Sequence, residues 1–128
     1  SGWMFDHLTE MGQSLAAFAT DLGAKLNDVT VLTLTEFGRR VEENGSAGVD
    51  HGHGQAVLLL GGGVDGGKVH GTWPGLAERD LYDGDLAGTT DYRSVLAEAL
   101  EKRCGAGALT SVFPNLPTDR VGAFKTRT

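Results

Sequence analysis

Two short stretches of the chain hold the residues whose types and spacing could do chemistry, GVDHGHGQ at 48–55 and LTLTEFGRR at 32–40. In the first stretch, His51 and His53 are two residues apart, and extended backbone directs such side chains to one side. Neutral imidazole and carboxylate are common ligands of zinc and related divalent ions. Asp50 would point to the other side, where it could be a further ligand of an incomplete shell or could orient a histidine. The pattern predicts a metal site, with a solvated polar loop as the alternative.

The second stretch offers Glu36 and Arg39. Glu36 directly follows a predicted strand, and the carboxyl ends of strands are where open α/β sheets bind ligands. Arg39 could present its planar fork to a phosphate or sulfate, although Glu36 and Arg39 could equally form a surface ion pair. We expect the two stretches to form one site, in which Glu36 and His51 converge and His53 is a ligand or a proton donor.

The composition limits the classes of partner. The chain has 128 residues and a formal net charge of -6, with Lys and Arg scattered, so no nucleic-acid-binding surface is predicted. No apolar run approaches the roughly 20 residues that span a bilayer, so no membrane span is predicted. Cys104 is the only cysteine, which excludes an internal disulfide.

The apolar pattern predicts the elements that must position these residues. The predicted order is a helix at 3–25, a strand at 30–35, a polar loop at 36–54, a strand at 55–61, a hairpin at 64–74, a helix at 89–105, and a tail. Gly23 and Gly105 are the predicted helix stops, and Thr90 the predicted cap of the second helix. This order predicts an α/β fold with a partial sheet flanked by helices.

Side chains expected in the core follow from the same periodicity. The first helix carries an apolar stripe at Leu8, Met11, Leu15, Phe18 and Leu22. The second helix is expected to bury Tyr92, Val95, Leu96, Ala99 and Leu100, and the tail to pack through Leu109, Val112, Phe113 and Leu116. Two main strands are few for an independent sheet, so further strands are expected elsewhere.

A longer pattern carries a family resemblance. The run EFGR, a loop, DHGHG, GGGV-GGKV-G-WPGL and then TTDYR resembles the C-terminal part of the domain-of-unknown-function 1501 family, from residue 8 to Phe113. Such proteins are much longer and often carry a twin-arginine export leader. They resemble the alkaline phosphatase and sulfatase superfamily, which has a mixed sheet between helices, metal ligands at strand ends, and one or two divalent ions for phosphoryl or sulfuryl transfer.

The resemblance also assigns positions in this sequence. Glu36 stands where the superfamily has a metal-binding aspartate, and Phe37 stands where it has an adjacent histidine ligand. Phe37 cannot coordinate a metal. His51, or less closely His53, matches the later histidine ligand. The family's Trp-Asp-Thr-His segment and the superfamily's nucleophile would lie upstream, so the resemblance implies that residues 1–128 form a single C-terminal segment of a larger domain.

The expected function is therefore the C-terminal portion of an exported, metal-dependent phosphatase-like or sulfatase-like hydrolase, inactive alone. The alternative is a non-catalytic binding or structural module on the same scaffold. The expected cofactor is a divalent ion, with zinc, magnesium, calcium and manganese left open. The expected partner is the missing N-terminal part or a companion chain, and we expect oligomerisation. The family resemblance implies a secreted or cell-envelope location.

Overall fold

A computed structural model describes residues 2–127, and its elements confirm a mixed α/β fold with two helices and two small antiparallel sheets. The elements are α1 (Trp3–Leu22), β1 (Thr30–Leu32), β2 (Gly38–Glu43), β3 (Val49–Gly52), β4 (Leu59–Gly61) and α2 (Tyr92–Cys104), with 3-10 segments at Gly23–Asp28 and Glu78–Asp80. One sheet pairs β1 with β4, and the other pairs β2 with β3. Neither helix is long and apolar enough to cross a membrane.

The β1–β4 sheet is shorter than the sequence predicts. Val31 pairs with Leu60, and the antiparallel register continues to a bond from the Thr33 N–H to the Leu58 carbonyl at 3.1 Å. The return bond is different, because the Leu58 N–H donates to the Thr33 side-chain oxygen at 2.9 Å. A side chain thus replaces a strand carbonyl, and the regular ladder ends at Leu32.

The predicted polar loop at 36–54 is wrong, because most of it is the hairpin formed by β2 and β3. Gly38 faces Gly52 and Arg39 faces His51 in this register. The sequence GRRVEE of β2 has no apolar-polar alternation, since almost all of its side chains lie in solvent. A strand with no buried face shows no alternation of apolar and polar residues, which is why its sequence predicts a loop.

The predicted hairpin at 64–74 is also wrong, because residues 65–74 form no strand. Val64 instead bridges Phe124 from the tail. Two further bonds follow the same line, from the Asp65 N–H to the Ala123 carbonyl at 2.9 Å and from the Lys125 N–H to the Gly63 carbonyl at 2.7 Å. The tail therefore supplies the pairing partner of Val64, where the sequence predicts a second strand of a local hairpin.

Helix α2 is confirmed, but its cap and its buried face differ from the prediction. Asp91, rather than Thr90, caps it by accepting from the Arg93 N–H at 2.8 Å, because an aspartate placed one residue before the helix reaches the free N–H groups. Gly105 ends it in the left-handed region at φ 65°. The buried residues are Ser94, Val95, Ala97 and Glu98.

The predicted stripe of α2 is therefore wrong at Tyr92, which is 55% exposed. The shift in the buried face has a polar cause. Glu98 is 1% exposed and accepts from the N–H groups of Gly122 at 2.8 Å and Phe124 at 3.1 Å. The tail backbone draws a carboxylate inward, because the buried N–H group of Phe124 needs an acceptor.

The core is small and joins α2 to the tail. It comprises Val95, Ala123 and Phe124, with Leu32, Val57, Leu59, Val64, Ala99 and Val121 packed against it. Leu109 is buried as predicted, whereas the prediction that Val112 packs is wrong because that side chain is 57% exposed.

Helix α1 ends at Leu22 and its C-cap is the predicted stop residue Gly23, with φ 50°. No residue of α1 is buried. Its apolar stripe is formed as predicted but lies largely in solvent, since Leu8 is 57% exposed.

Candidate functional site

The hairpin of β2 and β3 positions most of the predicted site residues. It depends on glycine at the facing positions Gly38 and Gly52. A Cβ at Gly52 would lie 2.5 Å from the carbonyl carbon of Arg39, closer than any real side chain comes, so the two strands approach only because this position has no side chain. Gly52 of DHGHG thus serves the close pairing of the hairpin, whereas Gly54 allows the close approach of the Leu86 carbonyl.

A single asparagine organises the hairpin turn. Asn44 Oδ1 accepts from the N–H groups of Ser46 at 2.9 Å and Gly48 at 3.1 Å. Asn44 Nδ2 donates to Asp50 Oδ1 at 2.8 Å. This amide fixes the turn and orients the carboxylate of Asp50, leaving its other oxygen without a partner in the part of the chain that the structure describes. The sequence reasoning missed Asn44, which the Asn-Gly-Ser-Ala-Gly stretch could have indicated as a turn signal.

His51, Phe37 and Arg39 form one exposed cluster on the hairpin. The rings of Phe37 and His51 stack with centroids 3.6 Å apart and planes inclined by 23°. The guanidinium carbon of Arg39 lies 5.4 Å from the Phe37 centroid, within the range of a cation–π contact. Arg39 Nη1 also donates to the Val49 carbonyl at 3.1 Å. The cluster therefore presents a guanidinium beside an imidazole whose one face is covered.

His53 has different neighbours. Its ring lies 4.7 Å from that of Tyr82 at an angle of 35°, and its Nε2 lies 3.2 Å from where a Cβ of Gly88 would be. The neighbouring Gly54 N–H donates to the Leu86 carbonyl at 2.6 Å. The segment 82–88 thus lies against one side of the exposed His53, a contact that spans about thirty residues of sequence and has no local signal.

An ion pair fixes that segment to the hairpin. Arg40 Nε lies 3.7 Å from Asp85 Oδ1, and Arg40 Nη2 donates to the Asp83 carbonyl at 3.3 Å. Arg40 is the residue next to Arg39, and adjacent strand residues point to opposite faces. Arg40 therefore holds segment 82–88 to the hairpin, whereas Arg39 lies beside His51.

Glu36 makes no hydrogen bond or ion pair with any of residues 2–127. The side chain that stacks on His51 is that of Phe37, the residue after Glu36. Among residues 2–127, no group of three or more His, Cys, Asp or Glu side chains is close enough to hold a metal ion. The hairpin residues alone therefore fit only part of a metal shell, and the convergence of Glu36 with His51 stays a prediction.

A further polar cluster lies in the glycine-rich segment 61–71. His70 Nε2 bonds the Asp65 carbonyl oxygen at 2.9 Å, and Lys68 Nζ lies 2.5 Å from Asp65 Oδ2. The hydrogen bond from Lys68 holds the pKa of the Asp65 carboxyl below its usual value of 3.8. These contacts close the turn locally, which gives His70 a structural role.

Comparison with known proteins gives one family. A family model described as a protein of unknown function, DUF1501, matches residues 2–100. No curated protein and no solved structure matches the chain.

Proposed function

The chain belongs to the DUF1501 family, and from that premise we propose that it is the C-terminal portion of an exported, metal-dependent hydrolase of phosphate or sulfate esters, resembling alkaline phosphatases and sulfatases. The observation that carries the proposal is the register of the hairpin, which sets Arg39 directly opposite His51. A cation and an imidazole on one face are a suitable pair for binding a tetrahedral oxyanion and for transferring a proton.

Arg39 is the proposed anion-binding residue. Only its Nη1 has a hydrogen-bond partner among residues 2–127, the Val49 carbonyl. That bond and the Phe37 ring fix the guanidinium, while the Nε–H and Nη2–H remain for a second, bidentate contact. A held guanidinium loses less rotamer entropy on binding an anion than a free one does.

The proposed metal donors are Glu36, Asp50, His51 and His53, with His53 also a candidate proton donor. Carboxylate and imidazole together suit zinc and manganese, and the carboxylates alone suit magnesium or calcium. A bound divalent ion would supply Lewis-acid polarisation of the ester oxygen. Because these residues make only part of a shell, we propose that further ligands come from an N-terminal part or a companion chain.

The same proposal covers fold and location. The two small sheets would be parts of a larger mixed sheet between helices, as in alkaline phosphatases and sulfatases. The protein would act outside the cytoplasm, in the cell envelope or as a secreted protein, as the family's export leaders imply.

The test is the metal content of the native protein, with its N-terminal part or companion chain present, and of a His51→Ala variant of that protein, measured by elemental mass spectrometry. We expect a stoichiometric divalent ion that His51→Ala loses. His7→Ala is the matched control, because His7 lies on α1 and is exposed. A metal-free native protein, or a His51→Ala variant that keeps its ion, would contradict the proposal.

One observation favours a second candidate, a non-catalytic binding or structural module. Phe37 covers one face of His51 and has no donor atom. In this case the exposed cluster of Phe37, His51 and Arg39 would bind a protein or an envelope polymer without a metal. Partner binding that survives a chelator, but is lost in Phe37→Ala and in Arg39→Ala, would support this candidate over the hydrolase.

A further inference from the structure

The turn between β2 and β3 contains the one Asn-Gly pair of the sequence. Asn44 precedes Gly45, whereas the other two asparagines, Asn27 and Asn115, are followed by larger residues. In an Asn-Gly pair the backbone nitrogen of the glycine can attack the carbon of the side-chain amide, because glycine has no side chain to hinder the approach. The contacts around Asn44 determine whether the folded turn favours this cyclisation.

Two backbone N–H groups point at the amide oxygen of Asn44. Asn44 Oδ1 accepts from the Ser46 N–H at 2.9 Å and from the Gly48 N–H at 3.1 Å. Attack on the amide carbon turns this oxygen into an oxyanion, and N–H donors placed beforehand stabilise an oxyanion more than a neutral carbonyl oxygen. The turn therefore stabilises the tetrahedral intermediate of cyclisation more than it stabilises the starting amide.

The leaving nitrogen also has a suitable partner. Asn44 Nδ2 donates to Asp50 Oδ1 at 2.8 Å. This nitrogen must gain a proton in order to leave as ammonia, so it becomes more positive as its bond to Cγ breaks. A carboxylate beside it stabilises that positive charge.

The attacking nitrogen is free of other contacts. The Gly45 N–H has no hydrogen-bond acceptor among residues 2–127, and Gly45 is exposed. The turn is fixed around it by bonds from the Asn44 N–H to the Gly48 carbonyl at 2.8 Å and from the Ala47 N–H to the Asn44 carbonyl at 3.1 Å. The side chain of Asn44 bends back along the chain to reach the Ser46 N–H, which directs its amide carbon towards the Gly45 nitrogen.

We propose that Asn44 is a site of self-catalysed modification, at which the folded turn converts the asparagine through a cyclic imide into aspartate and isoaspartate. The Gly45 nitrogen loses its proton to solvent base and bonds to Asn44 Cγ. The bond from Cγ to Nδ2 then breaks, and ammonia leaves with a proton taken from water. Water opens the imide at either carbonyl, so the net change exchanges ammonia for water and needs no oxidant or reductant.

The modification changes the hairpin in two ways. The aspartate form loses the Nδ2 donor and sets a second carboxylate beside Asp50, so that the two charges repel each other. The isoaspartate form adds one carbon to the backbone of the turn, and turn geometry sets the register in which Arg39 faces His51. The modification does not depend on the hydrolase proposal, and only its effect on Asp50 as a metal donor does.

The first test is a time course of the native protein in water that contains heavy oxygen, followed by trypsin digestion in ordinary water and mass spectrometry. Cleavage after Arg40 and Lys68 isolates residues 41–68, in which Asn44 is the only asparagine. We expect this peptide to gain one heavy oxygen, and electron-transfer fragmentation identifies the isoaspartate. Conversion during digestion takes up ordinary oxygen and is thereby excluded.

Asn27 and Asn115 are the internal controls of this measurement, and both should keep their amides. A native protein in which Asn44 keeps its amide over the whole time course would overturn the proposal.

The second test separates catalysis by the fold from the intrinsic reactivity of an Asn-Gly pair. The same time course is run on a synthetic peptide of residues 41–51 at the same pH and temperature. We expect the folded protein to react at least roughly tenfold faster, because donors aimed at a developing oxyanion change rates by this much or more. A folded protein that reacts as slowly as the peptide, or more slowly, would overturn the proposal.

Variants then assign the separate contacts, with circular dichroism as the check that each is folded. Gly45→Ala places a methyl group beside the attacking nitrogen and should slow the reaction. The turn accommodates this change, because a Cβ at Gly45 meets no atom within 4 Å.

Asp50→Ala removes the carboxylate beside the leaving nitrogen and should slow the reaction of the folded protein but not that of the peptide. Glu42→Ala is the matched control, because it removes a negative charge from an exposed position of the same hairpin. A folded Asp50→Ala protein that reacts as fast as the native one would overturn the role assigned to the carboxylate.

Discussion

Helices α1 and α2 differ in how they are attached to the rest of the molecule. Helix α1 has 20 residues and buries none of them, whereas α2 has 13 residues and buries four. The apolar stripe of α1 is regular, and the buried face of α2 includes Ser94 and Glu98. Of the two, the helix with the clearer apolar periodicity is the one left in solvent.

The difference shows what apolar periodicity does and does not specify. A stripe shows that a helix needs a partner surface, but it does not say which surface or which copy provides it. Helix α2 is placed by directed polar contacts, since Glu98 accepts two tail N–H groups and Glu101 pairs with Arg120 at 2.7 Å. Hydrogen bonds and ion pairs have geometry, so they fix position where apolar contact alone would not.

The largest effect on this contrast is expected from Glu98→Ala. The change leaves the N–H group of Phe124 buried without an acceptor, at about 1–3 kcal/mol, whereas the N–H group of the exposed Gly122 can turn to water, so we expect the free energy of unfolding to fall by about 2 kcal/mol. Urea unfolding measures this. The matched change on α1 is Glu10→Ala, an exposed residue expected to change stability by less than about 0.5 kcal/mol. Equal effects of the two changes would remove the distinction between the helices.

A smaller effect is expected at the helix starts. Asp91→Ala removes the side-chain cap of α2 and is expected to lower the free energy of unfolding by about 1 kcal/mol. Asp91→Asn keeps a capping oxygen but loses the ion pair with Arg93, so its effect should be less.

The N-cap of helix α1 is Gly2, which offers no side-chain cap. Gly2→Ser should stabilise α1 by a few tenths of a kcal/mol and so raise its helicity slightly. The urea midpoint for unfolding of the rest of the molecule should not move. A shift of that midpoint would show that α1 is coupled to the core within its own chain.

The smallest effect is the part of the pH dependence that comes from α2 and its N-cap, in addition to the part from Asp65. A hydrogen bond from Arg93 holds the pKa of Asp91 below 3.8, and one from Arg120 holds the pKa of Glu101 below 4.5. Because the folded pKa values lie below the unfolded ones, these carboxylates stabilise the fold above pH 4.5, and that stability is lost as the pH falls through the folded values. The urea midpoint should therefore fall as the pH is lowered from about 6 to about 3.

The control for this dependence is Arg120→Gln, which removes the partner of Glu101. It should flatten the fall in the urea midpoint near and below pH 4.5. An unchanged slope would mean that the ion pair contributes nothing in solution, which is common for partly exposed pairs.

The local parts of the fold follow from the sequence. Gly23 and Gly105 end the helices as predicted, because each takes a positive φ that favours glycine. The pairing of Val64 with Phe124 joins residues sixty positions apart, and no local pattern encodes it. Strand β2 was missed for a different reason, because Arg39, Arg40, Glu42 and Glu43 all lie in solvent and leave no alternation to detect.

The candidate site was predictable in its residue types and less so in its arrangement. Arg39 and His51 were both singled out, yet their opposition follows from a hairpin register that the sequence did not reveal. Phe37 was recognised as a residue that cannot bind metal, but its stacking on His51 was not foreseen. The contact of His53 with Tyr82 depends on the long-range closure of residues 82–88.

The position of the core in the sequence has a consequence for how the protein is made. Ala123 and Phe124 belong to the core, and they pair with Asp65 and Val64. Translation proceeds from the amino end, so the core cannot assemble until residue 124 has left the ribosome. Helix α1 emerges long before that moment, with its apolar side chains exposed, and the nascent chain should therefore recruit chaperones that bind early-emerging hydrophobic segments.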